Sequence, residues 1–406
     1  FTKETHKDSL LISFEDIKLA TQNFKNQIGQ GGFGNIYRGE ILRASGPTPI
    51  AVKRNYDKYG HGEKEFLSEL EILFEYKHDN IIGLIGYCNE NNEKILVYEY
   101  ASNGSLDRHL NNASLTWTQR LKIGIDVAIA LDFLHGGASP VIHRDIKSGN
   151  ILLHTDWKAK LADFGLSMIA PLNNEFDFVV DFVSGTYGYV DPQYKEKGFL
   201  TRESDIYSLG VVLSEMMCGR LVQSGQEEEL VHLVKRHYEK GGSDGLVFEG
   251  IKDTIMPNSL IAFLGIAYQC LNYKRENRPT AGKVVLQLKK ALEFQEDYEI
   301  WKPKLPTDYK EIIQMSETPE ILYNSDDVSN KDLFDMFFKG IRLQNGKVCF
   351  SLSSNGERNE LVSSTTFSYL DRRLHKRRSI QKSRCVSEFQ LIYIKWTCLS
   401  VYMTCE

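Results

Sequence analysis

The chain contains no run of about eighteen apolar residues, so nothing in it reads as a membrane-crossing helix. It opens without a secretory signal, and with Phe1 in place of methionine it is expected to be a fragment or processed product, with a membrane span upstream left open. Cysteine is sparse and scattered: Cys88, Cys218, Cys270, Cys349, Cys385, Cys398 and Cys405 show neither zinc-site spacing nor a dense disulfide framework. A reducing, cytoplasmic setting fits that usage. A basic excess is missing too, since the net charge is −5, which excludes a general nucleic-acid partner. There is no internal repeat. The acidic run Gly225-Gln226-Glu227-Glu228-Glu229-Leu230 reads as a solvated helix start. With 406 residues, the chain has room for one large unit and an extra module.

What is present is a series of polar signals set between short apolar runs. Val141-Ile142-His143-Arg144-Asp145-Ile146-Lys147-Ser148-Gly149-Asn150-Ile151-Leu152-Leu153 puts a carboxylate, an ammonium and an amide on a polar turn between two strand-like segments. Those groups suit phosphoryl transfer. Asp145 would accept the proton of an incoming hydroxyl, Lys147 would neutralise charge on the transferred group, and Asn150 would hold a magnesium ion. Upstream, Gly29-Gln30-Gly31-Gly32-Phe33-Gly34-Asn35-Ile36 fits G-x-G-x-x-G-x-V with Ile for Val. Glycines there let backbone amides close over phosphate oxygens, although alone they describe a flexible hairpin equally well.

Ile50-Ala51-Val52-Lys53 is an alternating strand whose terminal lysine needs a carboxylate partner if it is to face a nucleotide rather than solvent. Residues 62–76 have helical spacing, with Phe66, Leu70 and Leu73 on one face and Glu69 beside them. Glu69 is therefore the expected partner, and Glu65 and Glu71 are expected as solvated charges on other faces. Leu161-Ala162-Asp163-Phe164-Gly165 supplies a second metal-binding group, Asp163. Leu96-Val97-Tyr98-Glu99-Tyr100-Ala101 reads as a strand running into a linker.

Together these motifs resemble those of protein kinases, and residues from about 14 to 299 resemble the plant receptor-like kinases, relatives of the animal Pelle and interleukin-receptor-associated kinases. The resemblance is carried further by Phe14-Glu15-Asp16-Ile17-Lys18-Leu19-Ala20-Thr21-Gln22-Asn23-Phe24, by Gly185-Thr186-Tyr187-Gly188-Tyr189-Val190-Asp191-Pro192-Gln193-Tyr194 and by Ser204-Asp205-Ile206-Tyr207-Ser208-Leu209-Gly210-Val211-Val212-Leu213. It implies an α+β, bilobal fold: a small β-rich lobe with one main helix and a larger helical lobe, with ATP and Mg2+ in the cleft. It implies that Gly29, Gln30, Gly31, Gly32, Phe33, Gly34, Ile36, Ala51 and Lys53 contact ATP from the small lobe. Tyr98, Glu99 and Ala101 would form the hinge, with backbone groups bonding adenine and Tyr98 at the back of the pocket. Lys53 and Glu69 would form an ion pair, Asp205 would brace the catalytic loop, and Leu73, Leu84, His143 and Phe164 would stack between the lobes. Lys147 with Thr186 implies serine or threonine acceptors on protein substrates, and the family implies an upstream receptor.

Two departures stand out. The family has glutamate where Gln193 stands, paired with the arginine matching Arg278, so that charge pair is expected to be lost and the large lobe loosened. The segment from Ser167 to Val183 has no serine or threonine after Ser167 and carries Glu175, Asp177 and Asp181. Arg144 nevertheless calls for an anion, either a phosphate on Ser184, Thr186 or Tyr187 or one of those acids. A kinase-shaped scaffold, weakly active or inactive, is the alternative these departures keep open, and a carbohydrate-recognition protein acting through the C-terminal module is a third reading.

The expected division is a flank at 1–20, the kinase domain at 21–299, a stiff linker at 300–307 containing Trp301-Lys302-Pro303-Lys304-Leu305-Pro306, and further segments beyond. Residues 308–370 resemble the opening of the phloem-lectin family, phloem protein 2, on Asp308-Tyr309-Lys310-Glu311-Ile312-Ile313, Leu333 to Leu343, Lys347-Val348-Cys349-Phe350-Ser351-Leu352 and Asn355-Gly356. That implies a helix followed by strand and turn, but the later strands of such a sandwich are missing, so carbohydrate binding is not expected. Residues 371–406, with Arg372-Arg373-Leu374-His375-Lys376-Arg377-Arg378 and an apolar stretch from Phe389 to Cys405, form a tail expected to be disordered, or to dock on the anionic inner face of the plasma membrane.

Overall fold

The computed structural model describes residues 9–301, except 33, 45, 56–61, 91, 138, 171–178, 224–228 and 241–244, together with strands at 341–344, 347–351 and 358–360. The chain divides into two units, one comprising Phe1–Glu239, Asp244–Ile255 and Leu260–Leu292, the other Lys240–Ser243, Met256–Ser259 and Glu293–Glu406.

In the first unit, α1 (Phe14–Ala20) precedes β1 (Gln27–Gln30), β2 (Gly34–Arg43), β3 (Gly46–Asn55), α2 (Gly62–Glu75), β4 (Leu84–Glu90) and β5 (Glu93–Glu99). The strands form an antiparallel sheet in the order β1-β2-β3-β5-β4. Register decides what each face does. Lys53 pairs with Ile36 on one side and Leu96 on the other, and Ala51 pairs with Tyr98. Because strand side chains alternate, Ile36, Ala51, Lys53, Leu96 and Tyr98 share one face. The opposite face carries Ile50, Val52, Ile95 and Val97, all buried against Ile17 of α1, with Phe14 and Phe24 packed alongside.

Helix α1 starts at Ser13, whose side chain accepts the Asp16 N–H, and ends at Thr21, whose hydroxyl donates to Ile17 O at 2.7 Å. Ahead of it, Tyr87 exchanges backbone hydrogen bonds with Leu10 and Ile12 at 2.9 and 2.8 Å, extending the β4 edge of the sheet. Each apolar side chain buried here contributes about 1.5–3 kcal/mol. Residues 10–20, set apart as a flank on sequence grounds, therefore complete the small lobe.

The rest of this unit is helical with short strand pairs. β6 (Gly104–Ser105) leads to α3 (Trp117–His135), opened by a reciprocal cap between Thr116 and Gln119. β7 (Val141–Ile142), β8 (Ile151–Leu153), β9 (Ala159–Leu161) and β10 (Met168–Ile169) frame residues 143–150: β6, β8 and β9 pair in one sheet, and β7 pairs with β10. β11 (Val179–Val180) pairs with β12 (Phe199–Leu200) across α4 (Pro192–Lys197). In α5 (Arg202–Cys218) every residue from Ser204 to Met217 is buried, so this helix has no solvent face and forms the centre of the lobe. α6 (Leu230–Lys240), α7 (Pro257–Cys270) and α8 (Ala281–Trp301) follow, with Lys240, residues 257–259 and residues 293–301 of these helices counted in the second unit. The first part of the expected linker is thus helical through Trp301.

The second unit carries β13 (Ile341–Gln344), β14 (Lys347–Ser351) and β15 (Arg358–Glu360), an antiparallel meander in sequence order. The expected helix near 308–313, the turn at Asn355-Gly356, the basic cluster and the apolar tail lie outside the described residues. No described helix is long and apolar enough to cross a membrane.

Candidate active site

Lys53 is brought by β3 to the open face of the sheet, where its Nζ donates to Glu69 Oε2 from α2 and to Asp163 Oδ1, each at 2.7 Å. Burial alone would favour the neutral amine, but two carboxylates at contact distance win, and the Lys53 pKa is raised. Asp163 likewise ionises more readily than usual in spite of its burial, because the Lys53 ammonium is beside it.

Glu65 corrects the expectation of a solvated charge. It lies four residues before Glu69, on the same helical face, and is buried with Oε2 lacking a hydrogen-bond partner. A Cβ on Gly165 would sit 3.3 Å from the Glu65 Cβ, so Gly165 lets this contact close. Burial raises the Glu65 carboxyl to about 7, with Lys53 opposing that shift and Asp163 and Glu69 adding to it. Glu71 is exposed, as expected.

The Asp145 carboxylate accepts four hydrogen bonds. Its Oδ1 accepts from Thr186 Oγ1 at 2.6 Å and Thr186 N at 3.0 Å, and its Oδ2 from Lys147 Nζ at 2.7 Å and Asn150 Nδ2 at 3.0 Å. Lys147 also donates to Thr186 Oγ1 at 2.8 Å. The Asn150 amide nitrogen bonds the Asp145 carbonyl at 2.8 Å too, which commits Nδ2 and turns Oδ1 away from Asp145.

Asp205 of α5 holds the loop from below: its carboxylate accepts the backbone N–H of His143 at 2.8 Å and of Arg144 at 2.9 Å, and contacts His135 Nε2 at 2.9 Å. Arg144 and Asp163 both have positive φ, +72° and +68°, a conformation that costs a non-glycine residue on the order of 1–3 kcal/mol and persists where surrounding bonds hold it. The His143 ring meets Phe164 edge-on at 4.7 Å, both fully buried, and Leu73 and Leu84 belong to the same core. Burial lowers the His143 pKa, keeping the ring neutral.

In the glycine-rich turn, Gly29 and Gln30 end β1, Gly31 N–H donates to Gly34 O at 2.8 Å, and Ile36 continues in β2. Phe33 lies outside the described residues. A Cβ on Gly34 would fall 2.5 Å from Arg54 O, whereas Gly31 and Gly32 have open space around them. Of the residues expected to form the hinge, Tyr98 and Ala101 are buried, while the Glu99 carboxylate accepts Gly83 N–H at 2.6 Å and pairs with Lys160 at 2.7 Å. The Glu99 side chain is thus engaged away from the strand face that carries Ala51 and Tyr98, and its N–H donates to Gly83 O at 3.0 Å, so its backbone carbonyl is the group left to meet a ligand.

The expected loss of the Arg278 charge pair is overturned. Arg278 Nη2 lies 2.7 Å from Asp191 Oδ1, with both side chains fully buried, and Arg275 lies 2.9 Å from Asp191 Oδ2. Arg278 also donates to Asn272 O, Glu203 O and Tyr273 O, and stacks over Tyr207. Burial would raise the Asp191 carboxyl, but these arginines hold it below the usual range. Sequence reasoning missed Asp191 because the family habit pointed to position 193; Asp191 also caps α4 by accepting Gln193 N–H at 3.0 Å. Of the other candidates, Ser184 Oγ donates to Phe182 O at 3.2 Å and Tyr187 is exposed.

A family model described as "Protein kinase domain" matches residues 22–288. The chain is 42% identical over 307 residues to receptor-like protein kinase HERK 1 of Arabidopsis thaliana, covering 73% of this chain and 36% of that protein. It is 41% identical over 298 residues to receptor-like protein kinase FERONIA of the same plant, covering 71% of this chain and 33% of that protein. With ANXUR1, another Arabidopsis receptor-like protein kinase, the figures are 41% over 295 residues, 70% and 34%. The chain therefore spans about a third of the length of these curated relatives.

Proposed function

This chain belongs to the protein kinase family, and from that premise we propose that it transfers the γ-phosphate of ATP to serine or threonine hydroxyls of proteins, as a receptor-like kinase of the plant type. The observation that carries the proposal is the placement of Lys53 Nζ at 2.7 Å from both Glu69 and Asp163, with Asp145 oriented by Thr186, Lys147 and Asn150. These residues fit a nucleotide and its metal. The turn at Gly31 and Gly32 has room that a side chain would fill, Asn150 Nδ2 is committed to Asp145 so that Oδ1 is its group for a cation, and one Asp163 oxygen is not used by Lys53. Magnesium held by Asn150 and Asp163 would neutralise charge between the phosphates.

The side chains divide the work. Lys53, kept cationic and fixed by Glu69, binds and orients phosphate oxygens. The backbone at Glu99 and Ala101, with Ile36, Ala51 and Tyr98 around it, positions the base. Asp145 Oδ1, now bonded to the Thr186 hydroxyl, is the atom that would take the proton of an acceptor hydroxyl, and Lys147 Nζ, on the same hydroxyl, offsets charge on the group in transfer. The Thr186 position marks where a serine or threonine side chain is read, which supports that acceptor class over tyrosine. The relatives' names, receptor-like protein kinases, support a receptor context, with protein substrates and an upstream receptor as partners. The meander at 341–360 supports a β-rich part after the kinase domain, in keeping with the phloem-lectin likeness, and no glycan-binding role is assigned to it.

The test is incubation of the full chain with labelled ATP and magnesium, followed by phosphoamino-acid analysis of the chain and of a generic protein substrate. Label on serine or threonine is expected. Label confined to tyrosine would overturn the acceptor assignment.

A further inference from the structure

Arg144 stands directly before Asp145, so whatever grips its side chain also holds the catalytic loop. Its guanidinium is almost fully buried. Nη1 lies 2.9 Å from Asp181 Oδ2 and donates to Leu166 O at 3.3 Å, while Nη2 donates to Phe182 O at 3.0 Å and to the Tyr194 hydroxyl at 2.9 Å. That hydroxyl donates in turn to Phe182 O at 2.7 Å and accepts Ser184 N–H at 3.3 Å. Asp181 is therefore anchored from both sides, by the β11–β12 pairing of Val179 with Leu200 and Val180 with Phe199 and by the Phe182–Tyr194 bond.

Among the described residues, Tyr194 is the one hydroxyl side chain bonded to Arg144. The stretch from Met168 to Val183 contains no serine, threonine or tyrosine. Ser184 bonds Phe182 O, the Thr186 hydroxyl is taken by Asp145 and Lys147, and Tyr187 is 71% exposed with its ring near Lys195. A phosphorylated side chain would bring about 1.5–2 negative charges to such an arginine. Asp181 brings one, encoded in the sequence, to one guanidinium.

We propose that Asp181 is a positioning residue that occupies on Arg144 the place of a phosphate, so that the catalytic loop is held in working order without covalent modification of the segment between Phe164 and Tyr194. The proposal rests on the kinase reading above. Asp181 touches Arg144 and not the reacting atoms, so its effect should fall on turnover rather than on nucleotide affinity.

The experiment uses the full chain, treated with phosphatase to a single unmodified mass, beside the same protein after incubation with ATP. Initial rates of the two wild-type forms are expected to agree within about twofold. In the unmodified state, Asp181→Asn should lower kcat by about tenfold, with KM for ATP within about twofold, since a charge-assisted bond outside the nucleotide site is lost. Asp181→Glu should recover most of that turnover. Amide exchange over residues 179–190, a readout that needs no catalysis, should speed up in Asp181→Asn and not in Asp181→Glu. A wild type that works only after phosphorylation overturns the proposal and leaves the kinase reading standing; so does an Asn variant with unchanged turnover and exchange. A wild type inert in both forms contradicts the kinase reading, and the exchange comparison still decides for or against Asp181.

Discussion

Replacing Asp191 by alanine strips the carboxylate from two arginines at once. Arg278 and Asp191 are fully buried at 2.7 Å, and Arg275 adds a second contact at 2.9 Å. Removing one partner of a buried ion pair costs about 3–5 kcal/mol, because the remaining charge stays desolvated. Asp191 also caps α4 and accepts from Ser204 Oγ at 2.9 Å, so the upper end of that range applies. For a unit of this size, 1 kcal/mol moves the melting midpoint by about 2–4 °C, which places Asp191→Ala at least about 10 °C below wild type. Gln193→Glu, by contrast, adds a carboxylate where Arg278 already has one, and the expected change is within about 0.5 kcal/mol.

Calorimetry of the full-length proteins at neutral pH measures both changes. An acid series adds a sign test. The folded-state pKa of Asp191 lies below its ordinary 3.8, so its contribution is present above pH 3.8 and is lost as pH falls through the folded value. The gap between wild type and Asp191→Asn should therefore close only in strong acid. An Asp191→Ala midpoint within about 2 °C of wild type, together with a Gln193→Glu midpoint raised by about 4 °C or more, would refute the reasoning and return the pairing to position 193.

Three further outcomes are expected. Glu65 has a folded-state pKa near 7 against an ordinary 4.5, so its favourable contribution is present below pH 4.5 and lost as pH rises through 7; the melting midpoint of Glu65→Gln should gain on wild type between pH 5 and 8, and a constant gap would contradict the assignment. Gly34→Ala would drive a Cβ to 2.5 Å from Arg54 O, so it should cost about 1–3 kcal/mol of stability, while Gly32→Ala, with nothing within 4 Å, should leave the midpoint unchanged. Lys53→Met leaves Glu69 buried without its cation, and both midpoint and activity should fall; a variant as stable as wild type would show that Glu69 is satisfied without Lys53.

The local parts of the site were legible because phosphoryl transfer demands particular groups at short offsets. Asp145, Lys147 and Asn150 lie within six residues, and Lys53 closes a strand whose alternation names its face. The Lys53–Glu69 pair was legible as well, since a helix of the right period follows the strand. Pairings across long separations were not. Arg278 and Asp191 stand 87 residues apart, and the family habit at Gln193 drew attention to the neighbour two positions away. Glu65 was misread by treating residues four apart as lying on different helix faces. The covering of the sheet by α1 was also hidden, because its apolar residues are few and become a core only against Ile50, Val52, Ile95 and Val97.

The central claim is that Lys53, Asp163, Asn150 and Asp145 form a working phosphoryl-transfer site. It is tested most directly by measuring magnesium-dependent transfer from labelled ATP by the wild type and by Asp163→Asn, with the melting curve of each recorded alongside. Asn keeps the shape of Asp163 and removes its charge, so label incorporation should fall by about 10²-fold or more, while the variant still unfolds in one cooperative transition. Equal incorporation by the two proteins, or none by a well-folded wild type, would contradict it.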